Sequence, residues 1–221
     1  MPHAPAPDTP GAGRAAGAGA GPGPELVEEL VEVGGDRFAL LRPADPADLL
    51  DEAAFAVDEF LPYWAELWPA ARSLASVLPD RLEGVRVLEL GCGLGLPSLV
   101  AARRGAEVVA TDWADQALEL LATNAARNGV RLARRNLDWT RPPADLVAAP
   151  PDLVVAADVA YEQRNVEPLA ALLEALGAVT LLADPGRKAG GALLGRLGAS
   201  FERDDLGGGV SRLRPRGWPP R

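Results

Sequence analysis

The sequence predicts an α/β fold: a doubly wound, Rossmann-like sheet of seven strands with helices on both faces and an antiparallel C-terminal hairpin. Three observations carry this. Residues Val85 to Asp112 read strand, glycine loop, helix, strand, acid, which is the first half of a nucleotide-binding βαβ unit. Short apolar strands and amphipathic helical stretches then alternate as far as Ala183, the pattern of a parallel sheet covered by helices. Two last strand-like runs, Phe201 to Leu206 and Val210 to Leu213, flank a triple glycine and read as a hairpin.

Nineteen of the first 24 residues are alanine, glycine or proline, with no periodic apolar face. Such a segment cannot bury enough surface to offset its ordering entropy. Residues 1–24 therefore read as a disordered tail, and 25–221 as one domain, a size that supports a full core. Within it, 25–60 reads as a hairpin and loop. Leu26–Val33 and Phe38–Leu41 are strand-like around Gly34-Gly35-Asp36, and Pro43–Asp58 is a loop with a short helix. The core is expected over 61–221. Leu61 to Leu78 reads as one helix over the sheet, because Trp64 and Trp68 are a turn apart and Leu74, Val77 and Leu78 continue their face. On that helix Trp64 reads as core packing.

Val85 to Leu90 reads as a buried parallel strand, Pro97–Arg104 as a helix and Glu107–Thr111 as the second strand. Ala114 to Asn128 carries the helical stripe Leu118, Leu121, Ala122 and Ala125, and Gly129 stops it. Val130–Asn136 has a poor apolar pattern, which suits an edge strand. Pro142, Pro143, Pro150 and Pro151 bracket a loop before the buried strand Leu153–Ala157. Asn165 is placed to cap a helix striped by Leu169, Leu172, Leu173 and Leu176 and stopped by Gly177. Val179–Ala183 is the fifth strand of the series, with a helix near Ala189–Leu197 after it.

Composition excludes several kinds of chemistry. His3, in the tail, is the sole histidine, and Cys92, inside the glycine loop, the sole cysteine. Histidine acid/base catalysis, an internal disulfide and a zinc site are therefore not expected, and Cys92 reads as a small loop residue. The formal charge of −9 argues against a nucleic-acid partner. With no apolar run long enough for a bilayer and no apolar signal core, no membrane partner is expected, and the setting is expected to be cytoplasmic.

The glycine loop alone does not choose a nucleotide. A dinucleotide fold wants a small residue three positions after its second glycine, where this chain has Leu96 and then Pro97. Glu89, two residues before Gly91, would repel a pyrophosphate. It suits a ligand carrying positive charge, such as the ammonium and sulfonium of S-adenosyl-L-methionine. Asp112, at the end of the second strand, lies where a carboxylate takes ribose hydroxyls. Glu89, Asp112, Asp138, Asp158 and Asp184 all fall at or near strand ends, on the side where open α/β sheets bind ligands. Trp113 and Trp139 directly follow two of these acids, as an adenine platform would or as hydrophobic cover at a sheet edge.

The spacing Glu89-x-Gly91-x-Gly93-x-Gly95 resembles motif I of the class I methyltransferases. With Trp68-Pro69-Ala70-Ala71, Thr111-Asp112-Trp113, Leu137-Asp138-Trp139 and Asp158-Val159-Ala160-Tyr161, the chain resembles the seven-stranded protein N-methyltransferases from about Pro62 to Pro185. That group includes lysine methyltransferases and nicotinamide N-methyltransferase-like proteins. Tyr63-Trp64 and Trp68-Pro69, together with Asp184-Pro185-Gly186-Arg187, look most like the electron-transfer-flavoprotein-β lysine methyltransferase branch. The resemblance implies that Trp68 and the motif I glycines border the methionine part of S-adenosyl-L-methionine. It further implies that Asp112 holds the ribose, that Asp138 and Trp139 meet adenine, and that Asp158 and Tyr161 orient the acceptor amine. The expected activity is N-methylation of a protein side chain such as lysine. A small-molecule amine acceptor on the same fold, or a protein that binds the cofactor without turnover, are the rival readings, and a nicotinamide oxidoreductase is the outsider. Neither the oligomeric state nor the role of Asp184-Pro185-Gly186-Arg187 follows from the sequence.

Overall fold

The computed structural model describes residues 24–49 and 62–217. Residues 1–23 of the expected tail and the segment 50–61 lie outside them. The chain runs β1 (Leu26–Val33), β2 (Asp36–Pro43), α1 (Pro69–Val77), β3 (Arg86–Leu90), α2 (Leu96–Arg103), β4 (Glu107–Asp112), α3 (Asp115–Arg127) and β5 (Ala133–Asn136). It continues through α4 (Ala144–Ala148), β6 (Leu153–Ala157), α5 (Val166–Leu176), β7 (Val179–Ala183), α6 (Lys188–Leu197), β8 (Phe201–Gly207) and β9 (Val210–Pro215).

The main sheet has seven strands in the order β5-β4-β3-β6-β7-β9-β8. The pairs from β5 to β7 are parallel; β9 joins β7 antiparallel and β8 pairs with β9. Both the doubly wound sheet and its closing hairpin therefore match the expected architecture, with β5 on the edge. The alternation of strand residues between two faces explains the layering. Val87, Val155 and Leu181 pack with α1, α2, α3 and the N-terminal hairpin, whereas Leu88, Val154 and Leu182 pack with α5 and α6. Strand order reverses at β3, which has β4 on one side and β6 on the other, and the paired ends Leu90, Thr111 and Ala156 are level. Such a reversal leaves a crevice beyond the strand ends.

Several local expectations need correction. The single helix over 61–78 is instead a 3₁₀ turn, Tyr63–Ala65, followed by α1 beginning at Pro69. A residue before proline is pushed out of the helical region, and Trp68 accordingly has ψ 144°. The proline-bracketed loop holds the short helix α4. Asn165 makes no side-chain cap; its amide donates to the Val159 carbonyl at 3.2 Å.

The N-terminal hairpin is not part of the main sheet; β2 lies on α3. There the Ala39 N–H donates to Asn128 Oδ1 at 2.9 Å and the Leu41 N–H to Asn124 Oδ1 at 2.7 Å. The two amides donate back to the Ala39 and Leu41 carbonyls. Two asparagines a helical turn apart thus stand in for a neighbouring strand. Among the described residues, no helix is long and apolar enough to cross a membrane.

Candidate active site

The crevice at the strand-order reversal holds a cavity of about 260 Å³. Its floor is the glycine loop. Gly93 and Gly95 both adopt positive φ, 49° and 80°, which side chains resist. A Cβ on Gly95 would also stand 2.2 Å from Leu121 Cδ1, and one on Gly93 would stand 3.2 Å from the Trp64 carbonyl. The loop can therefore lie this close to its neighbours only as glycine.

Two buried acids fix that loop. Asp112 takes the Gly93 N–H on Oδ2 at 2.9 Å and the Ala114 N–H on Oδ1 at 3.0 Å, which ties the end of β4 to the loop. Burial raises its carboxyl above the ordinary range, against the pull of these N–H bonds. Glu89 is 1% exposed, and its Oε2 accepts from the Ser98 N–H at 3.0 Å and from the Ser98 hydroxyl. Burial pushes Glu89 up to about 8, with the Asp112 charge adding to the rise and Ser98 opposing it. Cys92 is buried, and burial pushes its thiol well up, which leaves it inert.

Of the residues singled out in the sequence, Trp68, Glu89, Gly91, Gly93, Gly95, Asp112, Trp113, Trp139, Asp158 and Tyr161 all line this one cavity. Asp138 does not. Its Oδ1 accepts from the Thr140 hydroxyl at 2.6 Å and the Thr140 N–H at 2.8 Å, which hold its carboxyl below the usual range. Asp-x-Thr is a local turn signal, which accounts for both bonds to Oδ1. Trp64, expected as core, contributes to the cavity wall instead.

The lining residues not singled out as site residues include four with polar or charged side chains: Tyr63, Glu66, Glu162 and Arg187. Tyr63 ties the aromatic side of the cavity together. Its ring centroid is 5.0 Å from that of Tyr161 and 6.1 Å from that of Trp68, and its carbonyl accepts the Trp68 indole N–H at 2.7 Å. Desolvation of the phenol, with Glu162 nearby, lifts Tyr161 to about 12, so it remains a hydroxyl donor at neutral pH. Arg187 pairs with Asp158, whose φ of 55° makes it the one described non-glycine residue in the left-handed region. Asp184-Pro185-Gly186-Arg187, at a strand end like the other acids, was the sequence signal for it.

A family model described as lysine methyltransferase matches residues 63–181, more than half of the chain. The chain belongs to the lysine methyltransferase family. The matched stretch holds every wall of the cavity except Arg187. Among curated members and relatives, the chain is 34% identical over 114 residues to the histone-arginine methyltransferase METTL23 of Homo sapiens, covering 48% of this chain and 60% of that one. It is 31% identical over 137 residues to the electron transfer flavoprotein beta subunit lysine methyltransferase of Rattus norvegicus, covering 57% and 51%. The chain thus spans about half to three-fifths of the length of these relatives. Among solved structures, the T. Thermophilus 16S rRNA N2 G1207 methyltransferase matches 89% of this chain and 53% of its own, at TM-score 0.62 and 22% identity. Magnesium protoporphyrin IX methyltransferase from Synechocystis matches 66% and 84% at TM-score 0.51 and 18% identity. These likenesses establish the class I methyltransferase fold.

Proposed function

We propose that this chain is an S-adenosyl-L-methionine-dependent N-methyltransferase that acts on a protein side chain, lysine. The observation that carries the reading is the charge of the cavity. Glu66, Asp112, Asp158 and Glu162 stand in its wall, with Glu89 beside them protonated below about pH 8; Arg187 is the one cation of the wall and is committed to Asp158, while Glu162 pairs with Arg164. A cavity of that sign takes cations at both ends: the ammonium and sulfonium of the cofactor, and a basic acceptor. Membership of the lysine methyltransferase family and the name of the electron transfer flavoprotein beta subunit lysine methyltransferase support lysine, and the histone-arginine methyltransferase supports a basic protein side chain.

The residues fit the cofactor. The glycine loop allows close backbone approach, and Asp112 keeps unused lone pairs for two ribose hydroxyls after accepting its two N–H bonds. Trp113 and Trp139 offer flat rings for adenine. Bound there, S-adenosyl-L-methionine would supply a sulfonium methyl, which passes to the acceptor nitrogen as the C–S bond breaks and its electrons return to sulfur. The protein's part is positioning: Tyr63, Trp68 and Tyr161 wall the acceptor end, Asp158 and the Tyr161 hydroxyl orient the amine, and no acid/base residue is required. The amine must lose its proton to water before attack. The acidic balance further argues for a protein acceptor over nucleic acid, in a cytoplasmic setting.

Incubating the purified chain with labelled S-adenosyl-L-methionine and a lysate of its own organism, followed by mass spectrometry, should find label on lysine in a protein. Label on a small amine would replace the acceptor class. Binding of NADH in preference to S-adenosylhomocysteine would end the methyltransferase reading.

A further inference from the structure

Both oxygens of Asp158 are taken. Arg187 Nε donates to Oδ1 at 2.6 Å and Nη2 to Oδ2 at 2.9 Å, and the carboxylate is 5% exposed. The same guanidinium lies over the Trp68 ring, 5.7 Å from its centroid. Arg187 reaches this place from the turn after β7, where Asp184 Oδ1 accepts the Gly186 and Arg187 N–H groups at 2.7 and 2.8 Å. One side chain therefore joins the segment before α1, the end of β6 and the end of β7. All three border the acceptor end of the cavity. The left-handed backbone of Asp158 is strain that persists only where its surroundings over-determine it. The fork supplies one restraint, and the bond from the Asp158 N–H to the Ala183 carbonyl, 2.8 Å, supplies another.

The fork also changes the electrostatics. An unpaired carboxylate beside an amine favours the ammonium form, which has no lone pair to attack with. A forked carboxylate keeps its shape and its outer lone pairs, yet the pair is neutral overall. The other charged or titratable groups around it are Asp184 on the β7 side, Tyr161 and Glu162 (the latter paired with Arg164) on the β6 side, and Tyr63 and Glu66 on the 3₁₀ turn. Glu89 and Asp112 lie toward the glycine loop. Those acids draw a cation in, and Arg187 is the cation of the wall that offsets them where the amine must become neutral.

We propose that Arg187 is a positioning residue for methyl transfer, which sets Asp158 and Trp68 at the acceptor end and cancels the carboxylate charge that would keep the acceptor amine protonated. This rests on the reading of the cavity as an N-methyltransferase site. The opposite possibility is that Arg187 merely occupies the acceptor's seat and swings away, in which case removing it speeds transfer.

The test uses the full chain as wild type, Arg187→Met and Arg187→Lys. Initial rates are measured with tritiated S-adenosyl-L-methionine and the species that the wild type labels most strongly in a lysate of its organism, from about pH 6 to about pH 10. Melting temperature and S-adenosylhomocysteine affinity are measured alongside. Arg187→Met should bind S-adenosylhomocysteine within about threefold of wild type yet transfer at least ~tenfold more slowly at neutral pH, with its rising limb displaced upward by about one pH unit. Arg187→Lys keeps the charge and loses the fork, so its limb should return toward the wild-type position with part of the rate. A loss equal at every pH, shared by both variants and accompanied by a fall in melting temperature, would reduce Arg187 to scaffold and overturn the proposal. So would a wild-type or faster rate in Arg187→Met. A wild type that binds S-adenosylhomocysteine but labels nothing would instead remove the enzymatic reading, and the role of Arg187 with it.

Discussion

Asp158 and Glu89 carry the site's two opposing demands, orientation of an acceptor and tolerance of buried charge. Asp158→Asn is the informative change, because asparagine accepts left-handed backbone nearly as well as aspartate does. It keeps the side-chain outline, removes the charge and leaves the Arg187 fork only one acceptor oxygen. Cofactor affinity should stay within a few-fold, while transfer falls on the order of a hundredfold through lost positioning. Tyr161→Phe, which removes one hydroxyl and keeps the ring, should be milder. Turnover of Asp158→Asn at the wild-type rate would exclude that residue from the acceptor end. For Glu89 the sign can be worked out from its pKa. The folded protein holds this proton up to about pH 8, whereas the unfolded chain releases it near 4.5. Between those values the native state binds more protons than the unfolded one, so stability declines as pH rises from 4.5 to about 8 and is level beyond. Glu89→Gln keeps the acceptor oxygen for Ser98 and removes this penalty. Its melting temperature should match wild type near the bottom of that window and exceed it above the top, and its affinity for the cationic cofactor should fall below wild type only toward and above the top, where Glu89 is charged. A melting-temperature difference that does not change with pH would show that Glu89 titrates normally.

At the scale of elements, two connections hold the cavity floor in place, one from the end of β4 and one from α3. Asp112 links β4 to the glycine loop, so Asp112→Ala loses more than a ribose partner: it leaves the Gly93 and Ala114 N–H groups without their acceptor. We expect affinity for S-adenosylhomocysteine to drop about ten- to a hundredfold, with stability lower by roughly 1–3 kcal/mol. Calorimetry giving wild-type affinity would remove Asp112 from the cofactor site, even if the melting temperature fell. The second connection is the asparagine pair of α3. Asn124 accepts the Leu41 N–H and donates to the Leu41 carbonyl, and its amide also reaches the Leu94 carbonyl of the glycine loop at 3.4 Å. Asn124→Ala should cost about 2–3 kcal/mol in urea unfolding, since it orphans partly buried backbone groups of β2. Hydrogen exchange should quicken in β2 first. Unchanged protection there would mean that the hairpin is held by its apolar face alone, through Val31, Val33, Phe38 and Leu40.

For the molecule as a whole, what the sequence revealed follows the range of the interactions. The parallel strands other than β5 were legible because each is a short apolar run closed by an acid or a glycine, and the strand-end acids pointed to the crevice before any geometry was known. Asp138 differs from the other strand-end acids in its local turn with Thr140, which places it outside the cavity wall. The fork of Arg187 on Asp158 spans 29 residues, and the clamp of Asn128 on Ala39 spans 89. No periodicity encodes pairings of that range; they appear only once the sheet has brought the segments together. Net charge is likewise a property of the whole chain. At −9, with an acidic cavity inside an acidic surface, the field should speed the approach of a basic acceptor. The screening length shrinks from about 30 Å at 0.01 M salt to about 8 Å at 0.15 M. Methylation should therefore show kcat/KM for the acceptor falling about tenfold or more across that range, with kcat nearly constant because the committed complex no longer depends on steering. Stopped-assay kinetics at several salt concentrations would measure it. A kcat/KM that is flat or rises with salt would mean that the acceptor is not drawn by charge, and the lysine assignment would then lose its electrostatic support.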